Sequence, residues 1–245
     1  MTEYEIYKMK KIWRGEEIPI AKFLMSYQES LREEFLRGCS TVEEACLKYS
    51  TDALDLRLFG ISLEESAKGI VSKDKESGEF KTNVGGWKGV QFKYERHDEL
   101  IDFKLERSDN DLLAKRYPTA FKLVKSYGDY CPMASYSILA PQTILNRHTG
   151  PENRSGKYIR IHIPLIIPEG DVFLEASGEE VRWDDIWGFN NQHAHSAYNL
   201  TDEWRVVFLL DLDMEHIGME YQAPYNPEID LNKKPFIRNQ FKDVE

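Results

Sequence analysis

Four of the six histidines in this sequence, His148, His162, His193 and His195, fall within one short stretch of its second half. Imidazole pairs suit first-row metals such as iron, and the open coordination positions that so few ligands leave are what oxygen activation requires. His148 follows the run Thr143–Arg147 and precedes Thr149-Gly150, so it stands where an extended segment ends; His195 lies near the start of a later extended run. Two such places can face each other across the mouth of a barrel, close enough for both rings to hold one ion. His193 is two residues from His195 and points the same way wherever that segment is a strand. A single histidine is more often structural than a ligand, so the pair carries this reading and neither member does alone.

Two arginines sharpen it. In Tyr158-Ile159-Arg160-Ile161-His162-Ile163, strand geometry sends Arg160 and His162 to one face and the isoleucines to the other. Burying such polar heads without partners is costly, so that face is either solvated or met by an acceptor. Arg205 is the one charge leading into Val206-Val207-Phe208-Leu209-Leu210, and it either sits at an exposed strand end or points inward. Two arginines aimed into a barrel that also holds paired histidines imply a dicarboxylate ligand, because guanidinium grips carboxylate through two parallel hydrogen bonds.

The elements that must position these residues change character near residue 130. Before it the pattern is mainly helical. Ile20, Phe23, Leu24, Tyr27, Leu31 and Phe35 recur at steps of three and four, Gly38 is a stop, and Ser40-Thr41 with Glu43-Glu44 form a capping box. Another helix is expected from Pro118 to Gly128. The polar stretch from Ser72 to Gly86 reads as a loop, a candidate substrate-facing flap. From Ala134 onward the period becomes two. Strands are expected at 135–139, 143–147, 158–167, 172–176, 180–183, 186–189, 194–198 and 205–210, separated by turn chemistry such as Pro168-Glu169-Gly170-Asp171. Pro164 marks a bend or an edge within its run. The expected fold is mainly β with N-terminal helices and a double-stranded β-helix core, a jelly roll of cupin-like type. In that reading residues 1–130 are a helical region packing on the core, 131–217 the core, and 218–245 a C-terminal tail.

Composition bounds the setting. A chain of 245 residues with 41% hydrophobic and 30% charged residues is ordinary for a globular protein. Its net charge of −10 argues against a nucleic-acid partner, which calls for a basic surface. No run has the length of a bilayer span, and the N-terminus lacks a secretory core, so no membrane partner and a cytoplasmic setting are expected. Cys39, Cys46 and Cys131 show no CxxC spacing and read as reduced thiols.

The order Tyr136-Ser137-Ile138-Leu139, His148-Thr149-Gly150-Pro151, Arg160-Ile161-His162, Trp187-Gly188-Phe189-Asn190-Asn191, His195, Asn199, Arg205-Val206-Val207-Phe208 and Asp211 resembles the catalytic domain of aspartyl/asparaginyl β-hydroxylases. The clear motifs cover about a third of the chain. The resemblance implies a dioxygenase using Fe(II), 2-oxoglutarate as cosubstrate and O2. His148 and His195 would be the metal ligands, and Arg205 with Ser137 would hold the distal carboxylate of 2-oxoglutarate. Arg160 and His162 would line the inner end, meeting the cosubstrate's metal-side carboxylate or a carboxylate of the substrate. The implied substrate is a small molecule or peptide bearing a carboxylate or amide side chain, Asp- or Asn-like, free, carrier-bound or peptidyl. Arg96 is a further candidate clamp for it.

Gly150 stands where many related oxygenases place an Asp as third ligand. That leaves a halogenase, with chloride on the iron, as one alternative. A non-catalytic jelly-roll module binding an anion through Arg160 and Arg205 is another. The sequence departs from the family at Asn190-Asn191, commonly acidic there, and at Ser196, often Glu. Both departures point to a different substrate.

Overall fold

The computed structural model describes residues 12–52, 69–97, 102–148, 156–176, 178–191 and 193–220. In chain order, strand β1 (Ile12–Arg14) leads into helices α1 (Ala21–Met25), α2 (Gln28–Leu36) and α3 (Val42–Lys48). Strands β2 (Thr51–Asp52), β3 (Ile70–Lys73), β4 (Phe80–Thr82), β5 (Trp87–His97) and β6 (Asp102–Glu106) follow, then helices α4 (Leu112–Arg116) and α5 (Pro118–Tyr127). The second half supplies β7 (Met133–Leu139), β8 (Thr143–His148), β9 (Tyr158–Ile166), β10 (Val172–Ala176), β11 (Glu179–Val181), β12 (Trp187–Phe189), β13 (His195–Asn199) and β14 (Arg205–Asp213).

These strands form two antiparallel sheets. One has eight strands, ordered β1-β12-β9-β14-β7-β5-β2 with β6 beside β5; the other has six, ordered β11-β10-β13-β8-β3-β4. The period of two decides what each face does. Ile159, Ile161, Ile163, Val206, Phe208 and Leu210 look away from the smaller sheet and pack on the helices, in a core that also takes Leu24, Leu31 and Phe35. Val207, Leu209 and Leu139 from the larger sheet meet Leu145, Leu174 and Ala197 from the smaller one in a second core. The molecule is therefore mainly β, a double-sheet jelly roll with helices laid over the outer face of the larger sheet. Each fully buried Leu or Phe of the helix core contributes roughly 1.5–3 kcal/mol.

Helix boundaries follow local chemistry. Gly38 takes a left-handed φ of 66° after α2. Thr41 Oγ1 accepts from the Glu44 amide at 3.0 Å and caps the helix, while Glu44 Oε2 reaches past the cap to accept the Ser40 amide at 2.7 Å, a variant of the expected capping box. Pro118 opens α5 and Gly128, at φ 50°, follows its last residue. No side chain within α5 or beside it in sequence caps its start. Instead Glu34, fully buried in α2, accepts the Thr119 and Ala120 amides, each at 2.7 Å, and the Tyr136 hydroxyl at 2.9 Å. Burial, then the Glu34 charge, pushes the Tyr136 hydroxyl well above its ordinary pKa.

Two expectations are corrected. The first half is not mainly helical, because β1, β3, β4, β5 and β6 come from it and extend both sheets. In β5, apolar alternation is broken by a register shift against β7 between Gln91 and Lys93, which hides the strand from a period-two reading. The stretch from Ser72 to Gly86 is no featureless loop either: β3 and β4 pair there as an edge hairpin of the smaller sheet. Its polarity suits an edge, where one side faces water. Pro164 sits in β9 where the ladder with β14 slips register between Val206 and Val207, so the bend falls within an interior strand. Among the described residues, no helix is long and apolar enough to cross a membrane. The expected C-terminal tail lies outside the described residues from 221 onward.

Candidate active site

The pair that opened the sequence reading converges. β13 runs antiparallel to β8 with His195 directly opposite His148, and their ring centres lie 4.2 Å apart. Two imidazoles sharing an ion at about 2.1 Å and near a right angle place their centres roughly 4.5 Å apart, so the spacing suits one metal. A register shift immediately after His195 marks the bulge that frees this corner of the sheet from a regular ladder.

Tautomers are dictated by neighbouring carbonyls. His148 Nδ1 lies 2.8 Å from the Asn146 carbonyl oxygen and His195 Nδ1 lies 2.9 Å from that of His193. A carbonyl only accepts, so both Nδ1 atoms carry the proton and donate, which places the lone pair of each ring on Nε2. A ring that donates from one nitrogen and ligates through the other is the usual state of a metal-bound histidine. Burial, and then the neighbouring His148, hold His195 well below the ordinary histidine pKa, so it is neutral, as a ligand must be. These residues fit a first-row metal. Among the described residues, no group of three or more His, Cys, Asp or Glu side chains gathers around an ion-sized space. The donor set on offer is therefore two imidazoles.

His193 takes a different part from the one its spacing suggests. The strand begins only at His195, so His193 lies in the preceding turn, where its amide donates to the Asn190 carbonyl and its own carbonyl orients His195.

Opposite the histidines, the larger sheet brings Arg205, Ser137 and His162 to the same interior. Arg205 is 2% exposed, and its Nη1 donates to the Ser137 carbonyl at 3.2 Å and to Ser137 Oγ at 3.5 Å. Among the described residues its Nε is buried without a hydrogen-bond partner. Burial pushes this guanidinium down to about 9, which leaves it cationic at neutral pH. Trp87 donates to Ser137 Oγ at 3.1 Å, and its rings lie 6.3 Å from the His148 ring. On the other wall the Arg205 guanidinium lies 4.9 Å from the centre of Trp183. His162 packs between Trp183 and Phe189, and Phe189 reaches His195 edge-on at 4.9 Å. Two chains of contacts thus join a buried cation to the histidine pair.

Arg160 is placed otherwise. It faces the interior as its alternation required, but its Nε and Nη2 donate to the two carboxylate oxygens of Asp211, both at 2.8 Å. The two residues are register partners on β9 and β14. Its charge is therefore already balanced within the protein, whereas no carboxylate of the described residues pairs with Arg205.

This arrangement sits inside a segment with known relatives. The family model for aspartyl/asparaginyl β-hydroxylase matches residues 62–215, more than half of the chain. The chain belongs to the aspartyl/asparaginyl β-hydroxylase family.

Individual members align over shorter segments. Human aspartyl/asparaginyl β-hydroxylase is 28% identical over 79 residues, 31% of this chain and 10% of that protein. The ornithine lipid ester-linked acyl 2-hydroxylase of Rhizobium tropici is 32% identical over 82 residues, 32% of this chain and 28% of that protein. The matched segment is thus a small part of either relative. Among solved structures, a 2OG-Fe(II) oxygenase family oxidoreductase from Burkholderia pseudomallei superposes with a TM-score of 0.36 at 13% identity, over 57% of this chain and 74% of that one.

Within the β-hydroxylase pattern, the departures at Asn190, Asn191 and Ser196 are all buried, so they shape the interior of the protein and not its surface. Gly150, and with it the question of chloride, lies outside the described residues, as does the Arg96 side chain. Sequence reasoning missed Trp87 and gave Trp183 no role. The one available signal is that a buried indole N–H demands an acceptor. Burial pushes the Cys46 thiol up to about 12 and raises that of Cys131 as well, so neither is a thiolate at neutral pH.

Proposed function

We propose that this chain is an Fe(II)- and 2-oxoglutarate-dependent hydroxylase, with His148 and His195 as the metal ligands. The observation that carries the reading is the facing pair itself, two rings 4.2 Å apart with each Nδ1 committed to a backbone carbonyl. Bound there, iron together with 2-oxoglutarate and O2 supplies the oxidising chemistry, in which the keto acid becomes succinate and CO2 as one oxygen atom enters a substrate C–H bond.

The chain's own residues orient the reactants. Arg205 and Ser137 hold the distal carboxylate, which gives the buried guanidinium the counter-charge it lacks. His162 offers a hydrogen bond at the inner end. Arg160, already neutralised by Asp211, lines that end as a donor framework and adds no net charge. Trp87, Trp183, Trp187 and Phe189 keep the cavity apolar around these few polar groups, so each hydrogen bond acts at low dielectric. The substrate class is a carboxylate- or amide-bearing side chain such as Asp or Asn. The human relative's name records such a substrate and the bacterial relative's an acyl chain.

Anaerobic reconstitution tests the reading. Fe(II) plus 2-oxoglutarate is expected to give a weak visible charge-transfer band, and admission of O2 to give succinate. His148→Ala or His195→Ala is expected to remove both signals while the protein stays folded. Equal 2-oxoglutarate uptake with and without iron, and no CO2, would instead identify an anion-binding module.

A further inference from the structure

Three histidines of the site, His162 and His195 buried and His148 half-buried, do not share one tautomer. The rings of His148 and His195 carry their proton on Nδ1 because carbonyl oxygens face that atom. His162 is the reverse. Trp183 Nε1 lies 3.0 Å from His162 Nδ1, and an indole nitrogen can only donate, so His162 Nδ1 must hold a lone pair. The proton of the neutral ring is then on Nε2, an atom that is buried and has no partner among the described residues. On its other side the ring is stacked on Trp187, with centres 4.3 Å apart and planes 14° from parallel, so it cannot turn to exchange its nitrogens. Trp183 also lies beneath the Arg205 guanidinium, so one indole sits against two of the buried donors that lack an acceptor, Arg205 Nε and His162 Nε2. An unmet N–H at such a depth is costly, and an incoming acceptor removes that cost.

We propose that Trp183 is a positioning residue that sets His162 as a fixed Nε2–H donor, so that the ring presents its proton to the keto-acid end of the cosubstrate. This rests on the 2-oxoglutarate reading of the site. The device differs from a charged anchor. It supplies a directional hydrogen bond that neither adds charge next to the metal ligands nor competes with them for the ion, since the unmet nitrogen of His162 bears a proton and not a lone pair.

The test has one readout independent of turnover. In the metal-free full chain labelled with 15N-histidine, two-bond 1H–15N correlation spectra report each ring's tautomer. The wild-type His162 is expected as a single Nε2–H form, and Trp183→Phe, which keeps an aromatic ring under Arg205 but removes the donor, is expected to populate the Nδ1–H form. A wild-type Nδ1–H ring, or an unchanged tautomer in the variant, overturns the proposal, and the first of these is read without any variant folding at all.

The second readout is 2-oxoglutarate affinity of the iron-loaded protein under nitrogen. Trp183→Phe is expected to weaken it about tenfold, the size of one hydrogen bond. In a His162→Gln background the same substitution is expected to add nothing, because an amide has no tautomer to lose. A full tenfold loss in that background would show Trp183 acting through packing alone. If the wild-type protein binds no 2-oxoglutarate, the functional reading fails and donation to the cosubstrate fails with it, while the spectra still decide who sets the tautomer.

Discussion

At the scale of single residues, two arginines of the same interior have opposite electrostatic situations. Arg160 is locked to Asp211 by two hydrogen bonds, whereas Arg205 is buried against Ser137 with one nitrogen unmet and burial lowering its pKa. An isolated buried charge costs stability, and replacing it by an apolar group of similar shape is often stabilising by roughly 1–4 kcal/mol. Arg205→Met is therefore expected to raise the denaturation midpoint of the ligand-free protein while weakening 2-oxoglutarate binding a hundredfold or so. A variant that is both less stable and unchanged in affinity would show the guanidinium to be a structural element.

The histidines set a pH dependence. His162 and His195 are held well below the ordinary value by burial, so the unfolded chain takes up protons near pH 6.5 that the folded chain refuses. Stability is full above that pH and falls as pH drops below it, by up to about 1.4 kcal/mol per pH unit for each ring. Urea titrations between pH 7.5 and 5 are expected to show this slope, reduced in His162→Gln; an identical slope in the variant would exclude His162 as a source.

At the scale of elements, Glu34 ties three of them together. Its carboxylate closes the amino end of α5 and takes the hydroxyl of Tyr136 from β7, while its own helix α2 packs on β9. A helix end without an acceptor loses about 1 kcal/mol, and stranding several buried donors loses more. Glu34→Ala is expected to cost about 3–4 kcal/mol in chemical denaturation, and Glu34→Gln less, since its amide oxygen still accepts. Equal losses from the two would mean that the charge of the carboxylate with its two acceptor oxygens, and not its shape, is what matters. Nothing nearby in sequence announces this contact. Residue 34 lies on a helix whose apolar period was read correctly, yet its partners stand at 119, 120 and 136, and a charged side chain reads as solvent-facing until the fold encloses it. The strand β5 escaped for a related reason, since a strand is stabilised by a partner distant in the chain and its bulge breaks the alternation that would have revealed it.

At the scale of the whole molecule, the site is a joint between sheets. Both proposed metal ligands belong to the six-stranded sheet, and Ser137, His162 and Arg205 belong to the eight-stranded one. A metal with its cosubstrate would then connect the two layers. Mn(II) and 2-oxoglutarate together are expected to raise the thermal midpoint by more than the sum of their separate effects, each of which reaches about 2.7 kcal/mol at a hundred times its Kd. Strictly additive shifts would mean the two ligands do not meet. From the residues alone came the jelly roll of the second half, the facing of Arg160 and His162, and the choice of His148 with His195, because alternation and turn chemistry are local and the family motifs hold their order in the chain. Tertiary structure alone decided which arginine keeps its charge uncompensated, which nitrogen of each histidine bears the proton, and that His193 serves by its carbonyl. Those properties depend on what approaches an atom from a distant segment, and no spacing along the chain encodes that approach.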